Sequence, residues 1–270
     1  MNFEFAYRTG LFDVAHSLTE KPNPASFTLH THTNCEVYYF ISGKGTFHVE
    51  GSDYPLSPGT ILVMDNTESH YIEIDPAHPY ERLAIHFDKN FIRQIDQKND
   101  LLNFFESREP GQGNLMPKES FDSSLYLHLI NNILDGLKSD ETQTITNFIA
   151  LLGELKKAHL KNLERNSTEN KTVVNQIINY ILTNLDRNIS LDNICEEFYI
   201  CKSQLCILFK KTMGTTVWNF ITLKRLTLAR ELLESGLSPT ETYTKCGFGD
   251  YSSFYRAYKK HFGTSPKRKA

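Results

Sequence analysis

The stretch from Ser252 to Lys260 places hydroxyl and basic side chains at a spacing suited to contact with a polyanion. On a helical projection Ser252, Tyr255, Arg256 and Lys259 share one stripe, and Phe254, Tyr258, His261 and Phe262 fall on the opposite one. The polar stripe offers donors to phosphate or to base edges, while the apolar stripe supplies a buried face. A second set lies near the other end, where His30 and His32 alternate within an expected strand and so share a face.

The elements that would hold the first set are written in local signals. Ser238 is an N-cap, Pro239 occupies the first helical position, and Glu241 completes a capping box. Cys246-Gly247-Phe248-Gly249 ends that helix, and a second helix begins near Asp250. A short capped helix, a tight turn and an amphipathic helix make the sequence form of a helix-turn-helix. The unit occurs twice: LCILFKKTMGTT from Leu205 aligns with FYRAYKKHFGTS from Phe254, and a Ser190-initiated helix precedes it. Two copies mean a duplicated module rather than a solenoid.

At 270 residues the chain has length for two domains. Its net charge of −3 conceals an asymmetry. Residues 172–270 carry 14 Lys/Arg and 8 Asp/Glu, a net +6, whereas residues 1–171 carry 15 and 24, a net −9. The basic C-terminal part fits polyanion binding. The five cysteines (35, 195, 201, 206 and 246) are odd in number, which argues against a disulfide framework or zinc site and for a reducing cytoplasm. No apolar run approaches bilayer-spanning length, and Met1-Asn2-Phe3-Glu4 lacks a basic n-region, so no membrane partner is expected.

Residues 1–24 read as an arm or short strand pair. From Ala25 to Phe87 short runs rich in Val, Ile, Phe, Tyr and Thr, beginning with FTLHTH, alternate with Gly, Pro, Asn and Asp turns, as a sandwich or barrel requires. Tyr38, Phe40, His48, Met64, Tyr71 and His86 are pocket candidates on these strands, with the inward parity left open. Helices are expected over Asn90–Phe105, Ser120–Gly136 and Thr142–His159. In the last, Ile145, Phe148, Ile149, Leu152 and Leu155 form a stripe that could pack on the barrel or, as favoured here, make a homodimer. The polar run Lys161–Lys171 reads as a linker. Val173 to Leu185 opens a helical domain, and Thr216–Glu234 is one long helix, apolar on more than one side, that must be packed at both ends. The expected boundaries are therefore 1–160, a linker at 161–171, and 172–270 with helix-turn-helix units at about 190–212 and 238–262.

Two resemblances follow from quoted residues. His30-x-His32-x3-Glu36-x6-Gly43, followed by Gly59-x5-Asp65-x-Thr67-x2-His70, resembles the two cupin motifs. That resemblance implies a small double-sheet barrel with His30, His32, Glu36 and His70 as ligands of a divalent transition metal. The other reading of the same groups is a metal-free pocket for a small polar effector, with Tyr38 and His86 added. Val173 to Pro266 resembles the AraC/XylS family through Leu205-x3-Phe209-Lys210-Lys211-x2-Gly214, Arg225-Leu226-x2-Ala229-Arg230, and Gly247-Phe248-x-Asp250-x2-Ser253-Phe254-x-Arg256-x-Tyr258-Lys259-Lys260-x2-Gly263-x-Ser265-Pro266.

Carried over by position, Lys202, Ser203, Gln204, Cys206 and Ile207 of the first recognition helix face DNA. Tyr251, Ser252, Tyr255 and Arg256 do so in the second, with Lys210, Lys211, Lys259 and Lys260 at phosphates. Arg256 is the candidate for guanine readout, with a phosphate contact as its alternative. Cys201 stands where the family has a capping Ser, and Tyr243 is bulky for its helix contact. The reading is an α+β, two-domain chain: an N-terminal cupin-like β-barrel with a helical hairpin, and a C-terminal all-α double helix-turn-helix domain. It implies a cytoplasmic, non-enzymatic regulator of promoter DNA responsive to a small polar effector, with a carbohydrate among the candidates. Homodimerisation through helices within 120–160 and contact with RNA polymerase in activation are expected, and a metal-dependent cupin enzyme with a DNA-binding appendage is the alternative.

Overall fold

Two units divide the computed structural model, which describes residues 2–8, 12–116, 122–165 and 172–268. The first comprises Met1–Thr28, Asn34–Val49 and Asp53–Asn170; the second comprises Leu29–Thr33, Glu50–Ser52 and Lys171–Ala270.

The first unit is built on β1 (Asn2–Arg8), β2 (Phe12–Thr19), β3 (Cys35–Ser42), β4 (Gly45–Val49), β5 (Ser52–Pro55), β6 (Ile61–Met64), β7 (His70–Ile74), β8 (Tyr80–Phe87) and β9 (Leu115–Met116). They form a six-stranded sheet in the order β1-β2-β8-β3-β6-β9 and a three-stranded sheet in the order β5-β4-β7. The antiparallel registers of Glu36 with His86 and with Met64 fix the centre of the larger sheet. One correction falls on the run from Phe27 to His32, which was expected as a strand. Pro24–Ser26 makes a single 3-10 turn capped by Asn23 just ahead of it, and within the run only His30 takes part in a bridge.

Both faces of the larger sheet are covered, and the parity of each strand sorts its residues between two cores. Phe12, Val37, Val63, Ile85 and Phe87 face helices, whereas Tyr38, Phe40, Leu62, Met64 and Tyr80 join Phe47, Val49, Ile72 and Ile74 of the smaller sheet. The helical side carries α1 (Lys89–Ile95), α2 (Asn103–Glu106), α3 (Ser123–Ser139) and α4 (Glu141–Arg165). The single helix expected over Asn90–Phe105 is thus broken. Asn99 is at φ 56°, and the Asp96 carboxylate accepts the Leu101 amide at 2.6 Å, a local bond that competes with helix continuation.

Much of the α4 stripe packs within the chain. Phe148, Leu151, Leu152 and Leu155 are wholly buried within the chain, with Phe148 4.8 Å from the Phe12 ring and 5.2 Å from that of Phe87. The inner part of the stripe packs on the sheet, while Ile145 and Ile149 at its margin are partly buried. Helix α4 also runs through to Arg165, into the run expected as linker; 166–171 lie outside the described residues, as do 117–121.

The second unit contains α5 (Val173–Thr183), α6 (Leu191–Phe198), α7 (Lys202–Met213), α8 (Val217–Glu234), α9 (Pro239–Lys245) and α10 (Tyr251–Phe262). Two cores sit on successive halves of α8. Val217, Phe220 and Ile221 pack with Ile177, Ile194, Leu205 and Phe209; Leu226, Ala229 and Leu233 pack with Cys246, Phe254 and Tyr258. Arg225 ties α8 down between them, donating to the carbonyls of Leu185 (3.0 Å) and Arg187 (2.7 Å).

Candidate DNA-binding surface and effector site

The two helix-turn-helix units start from matching caps. The Ser190 hydroxyl accepts the Asn193 amide at 3.1 Å, and the Ser238 hydroxyl accepts the Glu241 amide at 3.3 Å, each within a reciprocal capping box. At the start of α10 the Asp250 carboxylate accepts both the amide and the hydroxyl of Ser253, each at 2.8 Å. Those bonds hold the Asp250 carboxyl below its usual range. Cys201 caps α7 instead, and the Gln204 side chain returns a bond to its amide at 3.3 Å. Both recognition helices end on glycine in the left-handed region, Gly214 at φ 65° and Gly263 at φ 71°.

The apolar stripes turn inward. Leu205, Phe209, Phe254 and Tyr258 are buried, which leaves Lys202, Ser203, Gln204, Cys206, Ile207, Lys210 and Lys211 exposed on α7. On α10 Tyr251, Ser252, Arg256, Lys259 and Lys260 are exposed and Tyr255 is half-buried. Arg256 Nη2 lies 3.5 Å from Ser253 Oγ, so its fork is tethered to the first turn of its helix. Lys202 is already engaged, its ammonium 2.7 Å from Asp192 of α6, a pairing that raises its pKa. Tyr243, bulky for its position, packs edge-on against Tyr251 with centroids 5.8 Å apart.

Between the sheets of the first unit, strand parity brings together Glu36 and Tyr38 of β3, His70 of β7, and Tyr80, Arg82 and His86 of β8. Glu36 Oε2 lies 3.3 Å from His70 Nε2 and 3.6 Å from His86 Nε2. Burial opposes charge on His86, but the neighbouring Glu36 carboxylate outweighs it and the imidazole pKa is raised. The Tyr38 and Tyr80 hydroxyls bond at 2.9 Å, and burial raises both phenols. The Arg82 guanidinium sits 5.0 Å over the Tyr80 ring. His48 and Tyr71, the other candidates, stack on each other at 4.2 Å, their strand positions alternating with the inward Phe47, Val49, His70 and Ile72. Within this unit, Glu36 of the expected quartet lies beside His70 and also beside His86. His30 and His32 lie on Leu29–Thr33 among the residues of the second unit, their rings 6.0 Å apart.

Residues 18–116 match the model of the AraC-like ligand binding domain, and residues 194–269 match a helix-turn-helix domain. The chain is 33% identical over 101 residues to the probable transcription factor PqrA of Proteus vulgaris, covering 36% of this chain and 83% of that one. The chain belongs to the AraC family of transcription regulators. Another member of similar sequence is the probable transcriptional regulator LumQ of Photobacterium leiognathi, 27% identical over 90% of this chain and 92% of LumQ. Among solved structures, ToxT of Vibrio cholerae is similar at a TM-score of 0.42 and 14% identity, covering 95% of this chain and 96% of that one.

As an AraC-family regulator, the chain has a ligand-binding domain and a helix-turn-helix DNA-binding domain, and its relatives are regulators rather than enzymes. No described helix is long and apolar enough to cross a membrane. Two features of the structure were not read from the sequence. Arg82, two residues from Tyr80 on the same face of β8, reads in the sequence as one more polar residue of an alternating strand. Tyr199, between α6 and α7, gives no periodic signal because it lies in the turn.

Proposed function

We propose that this regulator grips one face of promoter DNA with α7 and α10 in successive major grooves, and that α10 supplies most of the polar base readout. The observation that carries the reading is the pair of exposed recognition faces held on the two halves of α8. At about 1.5 Å per residue that helix is roughly 27 Å long, close to the turn of about 34 Å that separates successive grooves. Arg256 is assigned to base edges, and Lys210, Lys211, Lys259 and Lys260 to phosphates. Arg256→Ala then relaxes sequence preference, whereas Lys259→Ala weakens all duplexes alike and shallows the salt dependence. Equal loss on every sequence for both variants would reassign Arg256 to the backbone.

The effector is assigned to the space between the sheets of the first unit, where Glu36, Tyr38, His70, Tyr80, Arg82 and His86 offer mixed donors and acceptors. That mixture suits a small hydroxylated, carbohydrate-like molecule, which must favour one of two conformations to regulate. A thermal-shift panel of sugars on the full chain tests it; a hit whose shift survives both Glu36→Gln and Arg82→Met would move the effector elsewhere. A divalent transition metal bound at Glu36 is the second reading of this site. Metal content of the purified protein, before and after Glu36→Gln, separates the two readings.

Cytoplasmic location, activation through RNA polymerase and a homodimer complete the proposal. The dimer would use the helices within 120–160, where Leu125 and Leu127 of α3 are exposed. Sedimentation of the Leu127→Glu variant checks that face.

A further inference from the structure

Both helix-turn-helix units close their first helix with the same turn. Nine residues after the cap Ser190 comes Tyr199, at φ 53° and ψ 41°, and the next amide, of Ile200, reaches back to the Cys195 carbonyl at 3.1 Å. Nine residues after Ser238 comes Gly247, at φ 73°, and the Phe248 amide reaches back to the Tyr243 carbonyl at 3.1 Å. Of α6, α7, α9 and α10, three are followed by a left-handed glycine, and only α6 is followed there by a residue with a side chain. Glycine takes that conformation without steric cost, whereas tyrosine does not.

The side chain at this strained position brings no packing in return. Tyr199 is 95% exposed, the most exposed large hydrophobic residue among those described. At Gly247 a Cβ would run into the Leu185 carbonyl and approach Arg225 Nη2 to 2.9 Å, so glycine is compulsory there. In the first unit the same corner points to solvent, two residues before the cap of the recognition helix. The N-terminal end of a recognition helix is the end that enters the groove, so a turn immediately ahead of it passes the sugar–phosphate wall. Exposed strain of this kind persists where a partner makes use of it.

We propose that Tyr199 is a DNA-contacting residue, its ring lying on a deoxyribose and its hydroxyl donating to a phosphate oxygen beside the groove that receives α7. The inference rests on the DNA-binding reading above and deepens it. With Cys206 and Ile207 on its groove face, the first unit has little polar readout, and Tyr199 makes it an anchor that contributes affinity without sequence information.

The test uses the full chain with two probes, a duplex that the protein itself selects from random DNA and a scrambled duplex of equal length. Tyr199→Gly copies the chain's own solution at Gly247, and its melting temperature should equal or exceed the parent's. Its Kd should rise about 3- to 10-fold on both duplexes, the size of one or two lost backbone contacts, with Tyr199→Phe in between. If Tyr199→Gly binds within about twofold of the parent while Lys210→Ala weakens both duplexes, the inference fails and the DNA-binding reading stands. If neither Lys210→Ala nor Lys259→Ala weakens binding either, that underlying reading fails as well. Normal binding with lost promoter activation in a reporter strain would overturn the inference in favour of a protein contact. Should the glycine variant melt early, Tyr199→Asn replaces it under the same criteria, because asparagine also accepts the left-handed region.

Discussion

Replacing Arg108 by methionine should destabilise the first unit by about 3–5 kcal/mol near neutral pH, the cost of leaving a buried charge without its partner. The magnitude follows from what surrounds Glu68. Its carboxylate is almost wholly buried and accepts from Arg108 Nη2 at 2.9 Å, the Asp65 amide at 2.8 Å, the Gly111 amide at 2.9 Å and Asn114 Nδ2 at 3.0 Å. Arg108 also donates to the carbonyls of Phe104 (2.9 Å) and Gln112 (3.2 Å), so the pair pins the 104–114 loop beneath the end of β6. Burial alone would raise the Glu68 pKa, but Arg108 and the two amides reverse it and hold it low.

In the parent, that depressed pKa contributes stability which is present above the unfolded carboxyl value and is lost as pH falls through the folded one. In Arg108→Met burial dominates, the sign inverts, and Glu68 becomes destabilising as pH rises above its unfolded value of about 4.3. The loss should therefore be largest at neutral pH and shrink toward pH of about 4. Urea unfolding followed by circular dichroism at several pH values measures it, and Trp218, the one tryptophan of the sequence, reports the second unit separately. A loss below about 1 kcal/mol, or one that is flat with pH, would refute the account of Glu68 as a charge held by Arg108.

Three further variants test the fold of the reader. Cys201→Ser gives α7 the oxygen cap that α6 and α9 already have, so the second unit should melt a few degrees higher in calorimetry. Gly247→Ala combines a left-handed alanine with a Cβ forced into the Leu185 carbonyl, and should cost about 2–5 kcal/mol in denaturant titrations. The same variant should lose sequence preference before it loses all DNA affinity, because α10 is the helix displaced. Arg225→Ala leaves the carbonyls of Leu185 and Arg187 without their guanidinium and should cost about 1–3 kcal/mol by the same measurement.

What could be read from the sequence was what is encoded locally. The caps Ser190, Ser238 and Asp250, the stops Gly214 and Gly263, and the duplication place every helix of the reader to within a residue or two. In the first unit the strands are legible, but their inward face is not. Val37 and Tyr38 are both fully buried because the larger sheet is covered on both sides, so hydrophobic alternation carries no parity. Hence Glu36 and His86 could be named, whereas their meeting with His70 required the strand order. Glu68 and Arg108 lie forty residues apart, and neither carries a local mark of burial. The α4 stripe shows the limit of periodicity: it establishes that a face is covered and leaves open by what.

Helix α8 serves both cores of the reader, and this constrains how the regulator can change over time. Because one continuous helix sets both the distance and the rotational phase of α7 and α10, inserting a single residue would turn one reader relative to the other by about 100° and shift it by about 1.5 Å. New preferences can therefore arise one base at a time, through exposed positions such as Cys206, Ile207 or Arg256. On the proposed reading, the interval between the two contacted grooves behaves as a fixed gauge. Drift in the promoters this protein serves should be tolerated in their letters and forbidden in their spacing.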